Sequence, residues 1–158
     1  MTLVGTDVTM VGGLAKVTGT ASYTPDLVLP RMLYAKALRS PYPHAKLLRI
    51  DASKAEEYPG IVAVVTRDDL GGINPYFGPV VDDQPVVATD RVRHVGEPVA
   101  LVAAETRAIA EEALDLIDVE YEELPAVFDI LEAAKPSAPV LHARRNETRA
   151  GVHKDEFN

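Results

Sequence analysis

The sequence contains no cysteine. That absence excludes disulfides, zinc–thiolate sites, iron–sulfur ligation and a cysteine nucleophile within the chain, so any iron–sulfur chemistry has to sit elsewhere. Positive charge is scarce too, since 16 Lys and Arg face 24 Asp and Glu for a net charge of −8. Phosphate binding needs clustered cations. The one notable cluster is Arg144, Arg145 and Arg149 near the C-terminus, so no nucleic-acid partner is expected. No apolar run approaches the ~20 residues of a membrane span. The opening MTLVGTDVTMVGG has neither the basic nor the apolar region of a secretory signal. No membrane partner is expected, and the expected location is cytoplasmic. Two catalytic signatures are also missing: no Gly-x-Ser-x-Gly elbow occurs, and Gly12-Gly13 with Gly19-Thr20 lacks the lysine of a phosphate loop.

What is present describes one mixed α and β domain. A chain of 158 residues can bury roughly two thirds of its unfolded surface, and 47% hydrophobic with 25% charged residues is ordinary globular composition. The stretch from Arg91 to Leu124 organises the rest and reads as strand, helix, strand. Pro98 to Ala104 is a near-continuous apolar run, the pattern of a strand covered on both faces. Thr106 can cap a helix running to about Leu116, whose inner stripe is Ile109, Ala113, Leu116 and Ile117. Ile117 to Glu122 then alternates apolar and acidic, which puts one face inward and a row of carboxylates in water.

The same order occurs earlier. Leu47 to Ile50 reads as a short strand, Ser53 to Tyr58 as a brief helix ended by Pro59-Gly60, and Ile61 to Thr66 as a β-branched strand. The two units, 47–66 and 98–121, are expected to share one core containing Ile61, Val62, Val64, Val99, Leu101 and Val102. Met32 to Arg39 alternates as a further strand, stopped by Pro41 and Pro43. Residues 1–25 read as a loop with turns at Gly12-Gly13 and Lys16 to Gly19, followed by a short extended piece, Asp26 to Leu29. Asp68 to Asp90, interrupted by glycines and prolines, is expected to be a functional loop or one placed against a partner. Phe128 to Ala134 allows a short helix stopped by Pro136. The tail from Ala143 is polar and aperiodic, a linker or a disordered end.

The candidate chemistry is thin. His44, His94, His142 and His153 lie at least eleven residues apart and in different elements, which disfavours a shared metal. His44 is expected to bond a turn and His94 to sit on a strand edge. Glu120, Glu122 and Glu123 read as a solvated face rather than a catalytic pair, and Asp82-Asp83 as a solvated loop pair rather than a Mg²⁺ site. Glu97, in Gly96-Glu97-Pro98 at the mouth of the central strand, stands where functional groups often do. It has no partner visible in the sequence.

Several segments together resemble the α/β hammerhead domain of the molybdenum hydroxylases, the xanthine dehydrogenase and aldehyde oxidase family. They are Lys16 to Tyr23 with Asp26; Met32 to Ala35 leading to Arg39-Ser40-Pro41 and His44-Ala45; Tyr58 to Ile61; Val92 to Ala100; and Val119 to Val127, followed by Ala133-Ala134. The resemblance implies an α+β domain of hammerhead type over residues 1–142 and a linker over 143–158 toward molybdopterin-binding domains of the same polypeptide. It implies a part of a catalytic large subunit that hydroxylates carbon with water-derived oxygen at a molybdenum–pterin cofactor. Electrons would leave through [2Fe–2S] clusters and FAD on partner subunits or domains. The catalytic glutamate and the cofactor loops of such enzymes belong to later domains. No catalytic, cofactor-binding or metal residue is therefore assigned in this chain, Glu97 included, and no activity is expected of these 158 residues alone. Because the pattern starts within about sixteen residues of Met1, separate iron–sulfur and flavin subunits are expected. Two other readings are a free-standing ligand- or protein-binding module that uses the 68–90 loop, and a small acid–base enzyme using Glu97 or His94.

Overall fold

A computed structural model of the chain describes residues 4–5, 7–78 and 83–142, which fall into two compact units, 1–32 and 33–158. Asp82, the Arg144, Arg145 and Arg149 cluster, His153 and the expected linker 143–158 lie outside the described residues. No helix among the described residues is long and apolar enough to cross a membrane.

The first unit departs from the expected loop. Gly12, at φ 73°, turns the chain into a five-residue helix, α1 (Gly13–Val17). Leu14, Ala15 and Lys16 are good helix formers, and the Thr18 hydroxyl closes the end by donating to the Leu14 carbonyl at 2.8 Å. A single 3₁₀ turn follows at Thr24–Asp26, where the Asp26 carboxylate accepts the Tyr23 N–H at 2.8 Å.

The second unit carries the strands. In one sheet, β7 (Pro98–Ala104) lies between β1 (Tyr34–Arg39) and β3 (Ile61–Val65), antiparallel to both. In the other, β2 (Ala45–Asp51) lies between the short β6 (Arg91–Val92) and β8 (Asp118–Glu123), again antiparallel. A two-stranded ribbon, β4 (Tyr76–Phe77) with β5 (Gln84–Pro85), stands apart. Both strand–helix–strand units cross between sheets. The first runs from β2 through α2 (Ser53–Glu56) to β3, and the second from β7 through α3 (Arg107–Leu114) back to β8. A last short helix, α4 (Ile130–Ala133), follows β8.

Thr106 caps α3 as expected, its hydroxyl accepting the Ile109 N–H at 3.2 Å. The helix ends at Leu114, two residues early, with Ala110 and Ala113 on its buried side. The core shared by the 47–66 and 98–121 stretches is present: Ala52 and Ala55 of the former pack with Ala100, Val102, Ala113 and Ile117 of the latter. A second cluster, Ala45, Leu47, Ala88, Val92 and Val99, lies against β2. Strand β7 feeds both clusters from opposite faces, which explains its unbroken apolar run.

Of the expected core positions, Val99 and Val102 are fully buried and Ile61, Val64 and Leu101 are half-buried, but Val62 is 55% exposed. The pairing register explains Val62. Ile61 pairs with Ala104 and Ala63 with Ala103, so Val62 is the extra residue of a bulge on an edge strand and turns outward. Leu48 is exposed for the same reason, since Leu47 faces Tyr121 and Arg49 faces Glu120. The stretch 68–90 is only partly a loop. Arg67 donates to the carbonyls of Leu47, Leu48 and Thr89 at 2.8–3.1 Å, while Val87 and Ala88 are buried.

Candidate functional site

Several polar groups converge where β6 passes into β7. Gly96 adopts φ 87°, a conformation that L side chains rarely take, and so permits the turn. The turn is sewn to the end of β1: Gly96 N–H donates to the Ser40 carbonyl (2.8 Å), Ser40 N–H to the Glu97 carbonyl (2.9 Å), and Arg39 to the Gly96 carbonyl (2.7 Å). Glu97 is thereby held inside at 3% exposure. Its carboxylate accepts the backbone N–H of Arg93 and lies 3.7 Å from the Arg93 guanidinium.

Arg93 is the partner that Glu97 lacked in sequence. Its Nε donates to the Leu141 carbonyl, one Nη to the Arg91 carbonyl and the other to Asp90, each at 3.0 Å. Burial opposes the Asp90 charge, yet bonds from Arg91 and Arg93 outweigh it and hold that carboxyl below its ordinary value. Glu97, bonded by that amide and paired with that guanidinium, ties the turn to the end of β6.

The other candidates scatter. The ring of His44 is buried, and its Nδ1–H donates to the Pro125 carbonyl at 2.7 Å, just past β8. His94 is in the turn rather than on a strand edge; it is exposed, with Nδ1 3.0 Å from the Val95 carbonyl. His142 Nδ1 lies 3.9 Å from Asp83. Glu120, Glu122 and Glu123 are exposed, and Lys46, opposite Glu122 in the register, binds it at 2.8 Å. On the inner face of the same strand, burial pushes the Tyr121 hydroxyl above its ordinary value, with its ring 4.9 Å from that of Tyr42. Arg93, Glu97, His94, His142 and Asp83 line one open groove of about 450 Å³, together with Phe77, Gln84 and Pro85 of the ribbon and Val86 after it. Arg93 precedes Glu97 by four residues, which was the only sequence signal for this grouping.

These residues do not fit a molybdenum–pterin group. Among the described residues no three His, Asp or Glu side chains converge on a point. Arg39, Arg67 and Arg93 are occupied by backbone carbonyls, and Lys36, Lys46, Lys54 and Lys135 by carboxylates, so none of these is free to cradle a phosphate. No step of a redox reaction is assigned to them.

Comparison with known proteins covers nearly all of this architecture. Residues 18–125 match the family model described as aldehyde oxidase and xanthine dehydrogenase, a/b hammerhead domain. Over 134 residues, 85% of this chain, the sequence is 51% identical to a probable xanthine dehydrogenase subunit of Bacillus subtilis, of which it spans 18%. It is 39% identical over 144 residues, 91% of this chain, to the nicotinate dehydrogenase large molybdopterin subunit of Eubacterium barkeri, spanning 34% of it. Among solved structures, CO dehydrogenase from Oligotropha carboxidovorans superposes with a TM-score of 0.79 at 36% identity, covering 86% of this chain and 17% of that one. The chain thus spans about a fifth to a third of the length of these proteins.

Proposed function

The chain belongs to the aldehyde oxidase and xanthine dehydrogenase family as an a/b hammerhead domain, and from that membership we propose that it is a structural and interface part of the catalytic large subunit of a molybdenum-dependent hydroxylase. The observation that carries this reading is the match of 134 residues at 51% identity to 18% of one such protein. The buried polar groups around Arg93 and Glu97 hold the turn between β6 and β7 in place, which suits a structural role. In this reading residues 1–142 are the hammerhead domain and 143–158 the linker to molybdopterin-binding domains of the same polypeptide. The molybdenum–pterin cofactor sits in those domains, and [2Fe–2S] and FAD centres sit on partner subunits or domains.

The gene beyond Asn158 tests it. A reading frame that continues for several times this length supports the proposal, and a stop codon directly after Asn158 overturns it. The 158-residue chain, made in a host that synthesises the cofactor, should carry no stoichiometric molybdenum and reduce no dye with aldehydes or purines. The groove beside the β4–β5 ribbon favours the binding-module reading as the second choice, and the same stop codon would promote it.

A further inference from the structure

The segment that leaves β8 is held at both ends and apolar in the middle. At its start, Leu124 N–H donates to the His44 carbonyl at 2.9 Å and the His44 ring donates to the Pro125 carbonyl at 2.7 Å. At its end, Arg93 Nε holds the Leu141 carbonyl. Between these anchors Phe128, Ile130 and Leu131 are 85%, 83% and 73% exposed. The charges of the segment are satisfied within it. Asp129 accepts the N–H groups of Leu131 and Glu132, and Glu132 binds Lys135 at 2.6 Å. Beside this face lies a cleft of about 190 Å³ lined by Phe128, Pro43, His44, Arg93 and Val95, the last also exposed. Single exposed hydrophobics are ordinary, but three large ones within four residues, each more than 70% exposed, concentrate apolar surface on one short segment.

We propose that this face docks the part of the large-subunit polypeptide that follows the domain. The inference rests on the large-subunit reading above and names the surface through which that role is exercised. Three observations choose the occupant. The relatives carry most of their length outside this domain, which spans only 18% and 34% of two of them. Arg93 holds the Leu141 carbonyl, and Leu141 and Phe128 line the same cleft, so a domain that follows in the same polypeptide is tethered close to the face at high effective concentration. Glu132 pairs with Lys135 inside the segment and Asp129 is engaged as a helix cap, which leaves little charge there to steer an encounter with a separate chain.

The test uses the full-length large subunit carrying Leu131→Cys or Ile130→Cys, with Glu120→Cys as the solvent-facing control. Maleimide labelling at each position is read by peptide mass spectrometry, in the native and the denatured protein. Native labelling at 131 and 130 is expected to be on the order of ten-fold slower than at 120, with equal rates after denaturation. Equal native rates would overturn this inference and leave the large-subunit reading intact. Protection that vanishes on dilution, or that arises only when separate subunits are added, would assign the face to a second copy or another chain and overturn it equally. A reading frame that stops directly after Asn158 would overturn both.

Discussion

Replacing Arg93 with alanine removes one guanidinium and, with it, hydrogen bonds to the carbonyls of Arg91 and Leu141, the bond to Asp90 and the ion pair with Glu97. Two bonds to carbonyls contribute about 1–3 kcal/mol together. The Asp90 bond adds less, because that carboxylate is half exposed and screened. The larger effect falls on Glu97, which is 3% exposed and would face no cation. Breaking a buried pair from one side costs about 3–5 kcal/mol, a figure that already includes part of the lost bonding. The expected loss for Arg93→Ala is therefore about 4 kcal/mol, a large fraction of the ~5–15 kcal/mol that stabilises a typical domain. Glu97→Gln keeps an oxygen for the Arg93 N–H and leaves the guanidinium its other acceptors, so about 1–2 kcal/mol is expected. The double variant strands no charge and should lose less than the sum, by about 1–3 kcal/mol. Urea unfolding followed by far-UV circular dichroism gives all three values. A loss below about 1 kcal/mol for Arg93→Ala, or additivity within about 0.5 kcal/mol, would refute the claim that the two side chains are coupled and buried.

Three further outcomes follow from the register, one glycine and one carboxylate. Val102→Ala, at a fully buried position, should cost about 2–3 kcal/mol, whereas Val62→Ala on the bulge should stay within about 0.5 kcal/mol, so equal losses would contradict the register. Gly60→Ala should cost about 1–2 kcal/mol, since φ there is 88° and a Cβ would come within 2.7 Å of Ile109 Cδ1. The urea midpoint of this variant decides it. Asp90, with its folded pKa held down, contributes stability that is complete above the unfolded value and is lost as pH falls through the folded one. Asp90→Asn should therefore flatten the decline of the urea midpoint in acid, and an unchanged pH profile would remove Asp90 from the account.

Strand β7 and helix α3 were legible because their signals are periodic. An apolar run, a Thr cap and a stripe at helical spacing each reflect local geometry. The assignment of strands to sheets was not legible, since strand–helix–strand order is the same whether the second strand joins its predecessor's sheet or, as here, the opposite one. Val62 and Leu48 were misread or unread because a bulge inverts alternation at one residue and leaves no compositional mark. The partner of Glu97 stands only four residues away, but that spacing signals a pair on a helix, and these residues form a turn. Its direction depends on the Gly96 turn and on Ser40, which is 57 residues from Glu97 in sequence. His44 and Pro125, 81 residues apart, could be joined only by the pairing of β2 with β8.

That pairing explains why the polar anchors act together. Ala45 of β2 is in register with Val92 of β6 on one side and with Glu123 of β8 on the other, so the three residues form one row across the sheet. Each anchor of the 126–140 segment steps directly off this row: His44 precedes Ala45, Arg93 follows Val92, and Leu124 and Pro125 follow Glu123. Ala45 and Val92 are fully buried and pack with Val99 of β7 in the second cluster. The segment that carries Phe128, Ile130 and Leu131 is thus tied at both of its ends, through His44 and Arg93, to a buried row that reaches the other sheet. Interiors packed at crystal-like density shift as blocks rather than deform continuously. An apolar face mounted in this way can hold a neighbouring domain at a fixed angle without contributing a group to its chemistry, which is the behaviour that the large-subunit reading asks of this chain.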